Sequence, residues 1–226
     1  MPEETVVIEM VEKPEYKWRE IPESNGVFDW AASVRWVLRG YQDEREDMVT
    51  YAETPDRSCL NMLLSYAAAK KLPIRRGDIT RAYLNANRKN AILVKTTRSM
   101  QKAGLSLYMW AKKNIYGAKD AARVFEEWIN ELLEELGWNK CNVAQSMYKI
   151  TGYSSSMLGV RHSDDLAAIG PDAQEVMEAL SSKVKMGPIT KITEGRFLGC
   201  EFMRLDAKTF MSSDTGQLLV KTCDLK

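Results

Sequence analysis

Three aspartates are the residues whose type and position point most directly to chemistry. Asp164 and Asp165 are adjacent, and apolar stretches flank them at residues 157–160 and 166–169. This pattern predicts a strand, a tight turn and a second strand, with the two carboxylates at the tip of the hairpin. Asp78 lies in another short strand-like stretch, residues 74–79, and would add a third carboxylate if the two strands were neighbours.

Two ionised carboxylates side by side repel each other, so such a pair favours a bound cation. Arg161 is the positive charge that precedes the pair in the sequence. Mg²⁺ prefers hard oxygen ligands and keeps waters for a phosphate-bearing substrate. Three carboxylates could hold two ions, one activating an attacking hydroxyl and the other holding the leaving phosphate. An Asp-Asp pair is also an ordinary turn feature, so the pair alone does not establish this chemistry.

The bulk composition describes an ordinary soluble chain and excludes some classes of protein. Its 226 residues suffice for one large domain or two joined lobes, and the net charge is +1. Four scattered cysteines and a single histidine argue against a structural zinc site. The sequence has neither a membrane-spanning apolar run nor a secretory signal, which predicts an intracellular protein with reduced thiols.

Helices and strands are mixed along the chain without regular alternation, which predicts the α+β class. Apolar residues recur at helical spacing in three segments, which begin after residue 56, near residue 120 and at residue 171 or 172. The last two are expected to end at residues 137 and 185. Short strands are expected at residues 34–39, 74–79, 91–95, 146–150, 157–160, 166–169 and 197–203.

The N-terminal residues 1–27 are acidic and contain three prolines, which predicts an extended arm or a peripheral strand. Residues 28–204 are expected to form the main folded region. Residues 205–226 are assigned to a C-terminal extension.

Several blocks in this order resemble motifs of copia-type retrotransposon reverse transcriptases. Residues 76–85 (RGDITRAYLN) are similar to the family's first catalytic motif, and residues 162–165 (HSDD) stand where the family has Tyr-Val-Asp-Asp. Further similar blocks are residues 34–41 (VRWVLRGY), 51–54 (YAET), 113–119 (KNIYGAK) and 197–201 (FLGCE). Several ordered blocks are far more specific than any one of them.

The resemblance implies a reverse-transcriptase palm, an antiparallel sheet packed on helices, with a small fingers subdomain and an absent or reduced thumb. It implies an RNA-directed DNA polymerase that binds two Mg²⁺ ions, or Mn²⁺, through Asp78, Asp164 and Asp165. Tyr83 would exclude a ribose 2′-hydroxyl, although without the resemblance Tyr83 would be assigned to the core. The other residues expected at the deoxynucleoside triphosphate are Arg35, Arg39 and Asp120.

A basic segment is expected to contact the RNA or DNA template-primer. No Asp or Glu occurs between Asp78 and Asp120, whereas nine Lys and Arg residues and several aromatic residues do. Such a run is often only a solvated face, but here its length and its aromatic residues favour phosphate contacts with stacking. The expected nucleic-acid contacts are Arg81, Arg88, Lys89, Lys95, Lys112, Lys113 and Lys119, with Phe197, Leu198 and Gly199 near the primer terminus.

Several positions depart from the family pattern and keep a second hypothesis open. Ser33 stands at the family's fingers lysine, Gly77 at its leucine, and Asp120 at a glutamine near the nucleotide. His162 and Ser163 precede the paired aspartates in place of tyrosine and an aliphatic residue. The alternative is a domesticated, catalytically weak or inactive subunit that binds RNA within a protein or ribonucleoprotein assembly.

Overall fold

A computed structural model describes residues 6–20, 28–45, 57–142, 144, 146–153, 157–198, 200–202 and 221–222. The chain has a mixed α+β fold, as predicted, and divides into two compact units. Unit 1 comprises Met1–Ala52 and Tyr83–Trp128, and unit 2 comprises Glu53–Ala82 and Ile129–Lys226. The block predicted at residues 51–54 lies outside the described residues.

Five helices and thirteen strands are assigned within the described residues. The helices are α1 (Arg57–Ala69), α2 (Ala82–Asn85), α3 (Arg98–Lys102), α4 (Ala121–Glu135) and α5 (Ala173–Lys183). The strands are β1 (Val7–Glu20), β2 (Phe28–Leu38), β3 (Ile74–Asp78), β4 (Asn87–Lys95), β5 (Tyr108–Lys113), β6 (Trp138–Lys140), β7 (Met147–Ile150), β8 (Met157–His162), β9 (Asp165–Ile169), β10 (Thr190–Lys191), β11 (Arg196–Phe197), β12 (Cys200–Glu201) and β13 (Lys221–Thr222).

Unit 1 contains a four-stranded sheet in the order β2-β1-β4-β5. β1 pairs antiparallel with β2 and parallel with β4, so it lies inside the sheet and not at its periphery as we had expected. Ile8 is fully buried in a core with Leu38, Ile92 and Val94. The acidic residues of this segment led to the prediction of a peripheral strand. In the structure Glu9 forms ion pairs with Arg39 and Lys95, which allows an acidic strand to lie inside the sheet.

Unit 2 contains a six-stranded sheet in the order β10-β3-β9-β8-β7-β6. Every residue from 166 to 169 in β9 is buried, because helices cover both faces of this central strand. On one face Leu60, Leu63, Leu64 and Ala67 of α1 join a core with the sheet. α5 packs on β3 and β9 through its own buried stripe of Val176, Met177 and Leu180.

Most elements with a strong apolar period were predicted correctly. α1, α4 and α5 follow the expected helices, and Gly137, at φ 80°, ends α4 as a left-handed residue. The single strand expected at residues 197–203 is wrong, because the chain turns at Leu198, with φ 52°, and β11 pairs back on β12. None of the helices in the described part of the chain is long and apolar enough to span a membrane.

Candidate active site

Asp78 and Asp165 lie side by side at one end of the unit 2 sheet. β3 and β9 are antiparallel, and their register pairs Asp78 with Asp165, Arg76 with Ala167 and Ile74 with Ile169. Because side chains alternate along a strand, these six residues share one face. The next strand, β8, places His162 opposite Asp165, so the last row across this face is Asp78, Asp165 and His162.

Asp164 occupies the two-residue turn that joins β8 to β9. Ser163, the other turn residue, has φ 55°, a left-handed conformation that is uncommon outside glycine and suits a tight hairpin. The Asp164 carbonyl accepts a hydrogen bond of 2.9 Å from the Ile79 N–H, the residue after Asp78. The end of β3 is therefore fastened to the turn, and the predicted neighbourhood of the three aspartates is present.

Arg161 supports the hairpin from the opposite face of the sheet. Its guanidinium is buried, and it donates to the Tyr148 hydroxyl at 3.1 Å and to the Ser163 carbonyl at 3.3 Å. Tyr148 in turn donates to Asn130 Oδ1 at 3.3 Å. Arg161 is the cation that precedes the aspartate pair in the sequence, and its contacts in the structure hold the turn that carries Asp164.

The aspartates are close enough to perturb one another electrostatically. The pKa of Asp165 is raised from 3.8 to about 6, chiefly by burial and then by the negative charges of Asp164 and Asp78. His162 and Arg76 act in the opposite direction and lower this pKa. The site therefore concentrates negative charge that the neighbouring cations only partly offset, which is the condition that favours a bound cation.

The donor set fits a hard divalent cation such as Mg²⁺, because all three candidate ligands are carboxylates. Among the described residues, no three acidic, histidine or cysteine side chains already converge in a ready-formed metal site.

Two residues near the aspartates were not among the predicted site residues. The Gly187 N–H donates to the Asp78 carbonyl at 2.8 Å, and a Cβ at Gly187 would overlap the Asp78 carboxylate. Arg76 donates to the Glu194 carbonyl at 2.6 Å and is the cation two residues before Asp78. Only the alternation of a strand, which puts residues 76 and 78 on one face, could have indicated Arg76. No sequence signal identifies Gly187.

Two predicted substrate residues meet in one aromatic cluster of unit 1. The Tyr83 ring lies edge-on to Tyr116 at 4.8 Å and to Phe125 at 5.4 Å. The Arg35 guanidinium lies over the Tyr116 ring at 4.9 Å and pairs with Glu15 at 3.2 Å. Tyr116 thus connects Arg35 with Tyr83, a relationship that their sequence positions do not reveal.

Arg39 and Lys95 are brought together by a carboxylate that the sequence analysis did not single out. Glu9 Oε2 pairs with Arg39 at 3.0 Å, and Glu9 Oε1 pairs with Lys95 at 2.9 Å. These contacts lower the pKa of Glu9, the Lys95 hydrogen bond contributing most. Both cations are partly exposed, so this cluster leaves each of them accessible to solvent.

Asp120 and Arg88 form a buried ion pair, which corrects the surface role expected for each. Their side chains are 8% and 3% exposed, and Arg88 Nη2 lies 2.5 Å from Asp120 Oδ2. Arg88 also donates to Asn114 Oδ1 at 3.1 Å. The Arg88 guanidinium is bonded to Asp120 and Asn114 inside unit 1, so it does not belong to the nucleic-acid surface. For the same reason the Asp120 carboxylate does not face a nucleotide.

The remaining predicted nucleic-acid residues fall into different environments. Lys89, Lys112, Lys113 and Arg81 are exposed, whereas Lys119 donates to the carbonyls of Asp43 and Arg45. Phe197 is 1% exposed in the unit 2 core, which corrects the contact expected for its side chain, because the core removes it from any partner. Leu198 is partly buried against the same core, and Gly199 lies outside the described residues.

Comparison with known proteins identifies the family of the chain. The family model for reverse transcriptase (RNA-dependent DNA polymerase) matches residues 16–215. The chain therefore belongs to the reverse transcriptase family. A nucleic-acid template and deoxynucleoside triphosphates are the partners that this family implies in general. No curated protein gives a significant match to the chain.

Proposed function

We propose that this protein is an RNA-directed DNA polymerase core of the copia type. The single observation that carries the proposal is the register of β3 and β9, which pairs Asp78 with Asp165 beside the turn residue Asp164. In this proposal unit 2 serves as the palm, and unit 1 supplies the fingers. The family membership and the ordered copia-like motifs support the same assignment.

Asp78, Asp164 and Asp165 would hold two Mg²⁺ ions, or Mn²⁺ ions. When bound, these ions would activate the primer 3′-hydroxyl and stabilise the charge that develops on the transferred phosphate. The protein's own contribution is to keep three carboxylates at one sheet end. Arg161 holds the turn through the Ser163 carbonyl, and the Gly187 backbone leaves room for the Asp78 carboxylate.

The substrate contacts of the proposal belong to unit 1. Tyr83 would pack below the sugar of the nucleotide and reject a 2′-hydroxyl, its ring held by Tyr116 and Phe125. Arg35 and Arg39 would contact the triphosphate, since both are partly exposed cations. Phosphate binding would compete with their present partners, Glu15 and Glu9.

Primer extension on an RNA template tests the proposal. Wild-type protein is incubated with oligo-dT annealed to poly-rA, dTTP and Mg²⁺ or Mn²⁺, with a matched poly-dA template as the comparison. The proposal predicts metal-dependent extension on the RNA template. Folded protein that binds the template-primer but extends it with neither metal would contradict polymerase activity.

A second candidate function is supported by the buried pair of Asp120 and Arg88. Asp120 stands where the resemblance expects a residue near the nucleotide, yet its carboxylate forms a buried ion pair with Arg88. A chain that had lost polymerisation could keep such a substitution as a stabilising contact. In that case the protein would be an RNA-binding subunit of a larger assembly, and the extension assay separates the two candidates.

A further inference from the structure

The edge strand β5 of unit 1 presents two aromatic rings and a lysine on one face. Side chains alternate along a strand, so Tyr108, Trp110 and Lys112 point to the same side. Tyr108 is 50% exposed and Trp110 is 56% exposed. Large aromatic rings normally bury most of their surface, so two such rings on one strand face mark a place where a flat partner can stack.

The pairing with β4 shows that this is the outer face of the sheet. Val94 and Ile92, which belong to the unit 1 core, pair with Met109 and Ala111. The opposite face therefore carries Tyr108 and Trp110, paired with Lys95 and Leu93 of β4. Val7, opposite Leu93 on β1, continues this outer face and is 38% exposed.

The charge around these rings favours a polyanion over an apolar or basic partner. The sequence from residue 79 to residue 119 contains no Asp or Glu. Lys112 continues the aromatic row, and Arg98 and Lys102 are exposed on α3, which follows β4. On β1 this face carries Glu9, which is paired with Lys95 and Arg39, and Glu15, which is paired with Arg35.

We propose that the outer face of β4 and β5 binds single-stranded nucleic acid, with bases stacked on Trp110 and Tyr108 and a phosphate on Lys112. Exposed rings suit unpaired bases, because a duplex hides the base faces that such rings would cover. The proposal deepens the proposed function, on which it rests for the class of partner, by naming the strand face that would hold unpaired bases. This binding needs neither metal nor nucleotide.

Fluorescence anisotropy with a labelled oligo-rU in EDTA tests this site without catalysis. Because one base stacked on an aromatic ring is worth about 1–3 kcal/mol, Trp110→Ala should weaken binding at least about fivefold. Trp110→Phe should retain most of the affinity. Lys112→Gln should weaken binding and flatten its salt dependence by roughly one phosphate contact. The matched control is Trp30→Ala, which removes a 64% exposed tryptophan from β2 and should leave the affinity unchanged.

Each outcome has one meaning, provided that circular dichroism shows every variant folded. Equal affinity of wild type and Trp110→Ala, or an equal loss in Trp30→Ala, would overturn the proposal. A Trp110→Ala variant that keeps RNA binding but changes its sedimentation coefficient would assign the face to protein association instead. Binding that depends on Trp110 in a protein that cannot extend primers would support this site and reject the polymerase, so the two failures are distinguishable.

Discussion

Asp78 and Asp165 are paired residues of antiparallel strands, one the last residue of β3 and the other the first residue of β9. Their positions fix two carboxylates at one sheet end, with Asp164 in the adjoining turn. Mutual repulsion makes this end of the sheet costly when it is empty of cations. Burial of the apolar residues 166–169 of β9 stabilises the strand and offsets this repulsion.

The first prediction concerns the pH dependence of stability without metal. The pKa of Asp165 is raised from 3.8 to about 6, so the folded protein binds this proton more tightly than the unfolded chain does. The protonated Asp165 side chain contributes to the free energy of unfolding. This contribution is complete below about pH 4 and is lost as the pH rises through about 6. In EDTA, Asp165→Asn should therefore raise the Tm at about pH 7.5 and change it little at about pH 4.5.

Differential scanning fluorimetry at the two pH values measures this effect. Mg²⁺ should raise the Tm of the wild type near neutral pH more than that of Asp165→Asn. An Asp165→Asn variant that melts lower than wild type near neutral pH would show that the carboxylate is stabilised and not strained.

The second prediction is that Arg161 stabilises the fold by bonding the hairpin turn. Arg161→Met would leave the buried Tyr148 hydroxyl and the Ser163 carbonyl without this donor. The expected loss is about 1–3 kcal/mol in the free energy of unfolding, measured by urea denaturation. Arg196→Met is the control, because Arg196 is exposed in its pair with Glu201 and should change stability by less than about 1 kcal/mol. Equal effects of both substitutions would reject the special role of Arg161.

The third prediction is that the Asp120–Arg88 pair is structural. Asp120→Asn leaves the Arg88 guanidinium buried without its counter-ion, which should cost about 3–5 kcal/mol of unfolding free energy. Glu127→Gln, at the partly exposed partner of Arg123, should cost at most about 0.5 kcal/mol. If chemical denaturation gives similar small losses for both, Asp120 is free for another role, including the expected nucleotide contact.

The fourth prediction concerns sugar discrimination by Tyr83. If this ring excludes a ribose 2′-hydroxyl, Tyr83→Ala should raise the relative incorporation of UTP over dTTP, and Tyr83→Phe should not. Competition assays with both nucleotides on one RNA template measure the ratio. Unchanged discrimination in Tyr83→Ala, with extension retained, would leave Tyr83 as a packing residue beside Phe125.

The elements that the sequence predicted well are those whose apolar period is strong. The stripe containing Phe125, Ile129 and Leu133 defines α4, and the two apolar stretches around Asp164 define the β8–β9 hairpin. β5 was missed because Tyr108 and Trp110 are exposed on an edge strand, where burial imposes no alternating pattern. The spacing of apolar residues therefore predicts strands that are buried on one face. It does not identify a strand such as β5, whose residues are mostly exposed.

The candidate site could be predicted only in part, because its geometry depends on contacts between distant segments. Local patterns gave the strand of Asp78 and the hairpin of Asp165, whereas their register is a property of the assembled sheet. Gly187 approaches Asp78 from more than a hundred residues further along the chain. Arg88 was assigned to the surface because nothing in a charge run indicates that one member pairs with Asp120 inside the fold.

The most direct test of the account compares carboxylate variants in primer extension. Asp78→Asn and Asp165→Asn are measured against wild type on oligo-dT annealed to poly-rA with Mg²⁺, with Glu134→Gln on the exposed end of α4 as the matched control. The account predicts extension by wild type and Glu134→Gln, and a loss of at least about a hundredfold in each aspartate variant although both remain folded and bind RNA. Extension that survives in folded Asp165→Asn would contradict the claim that the paired aspartates of β3 and β9 carry the reaction.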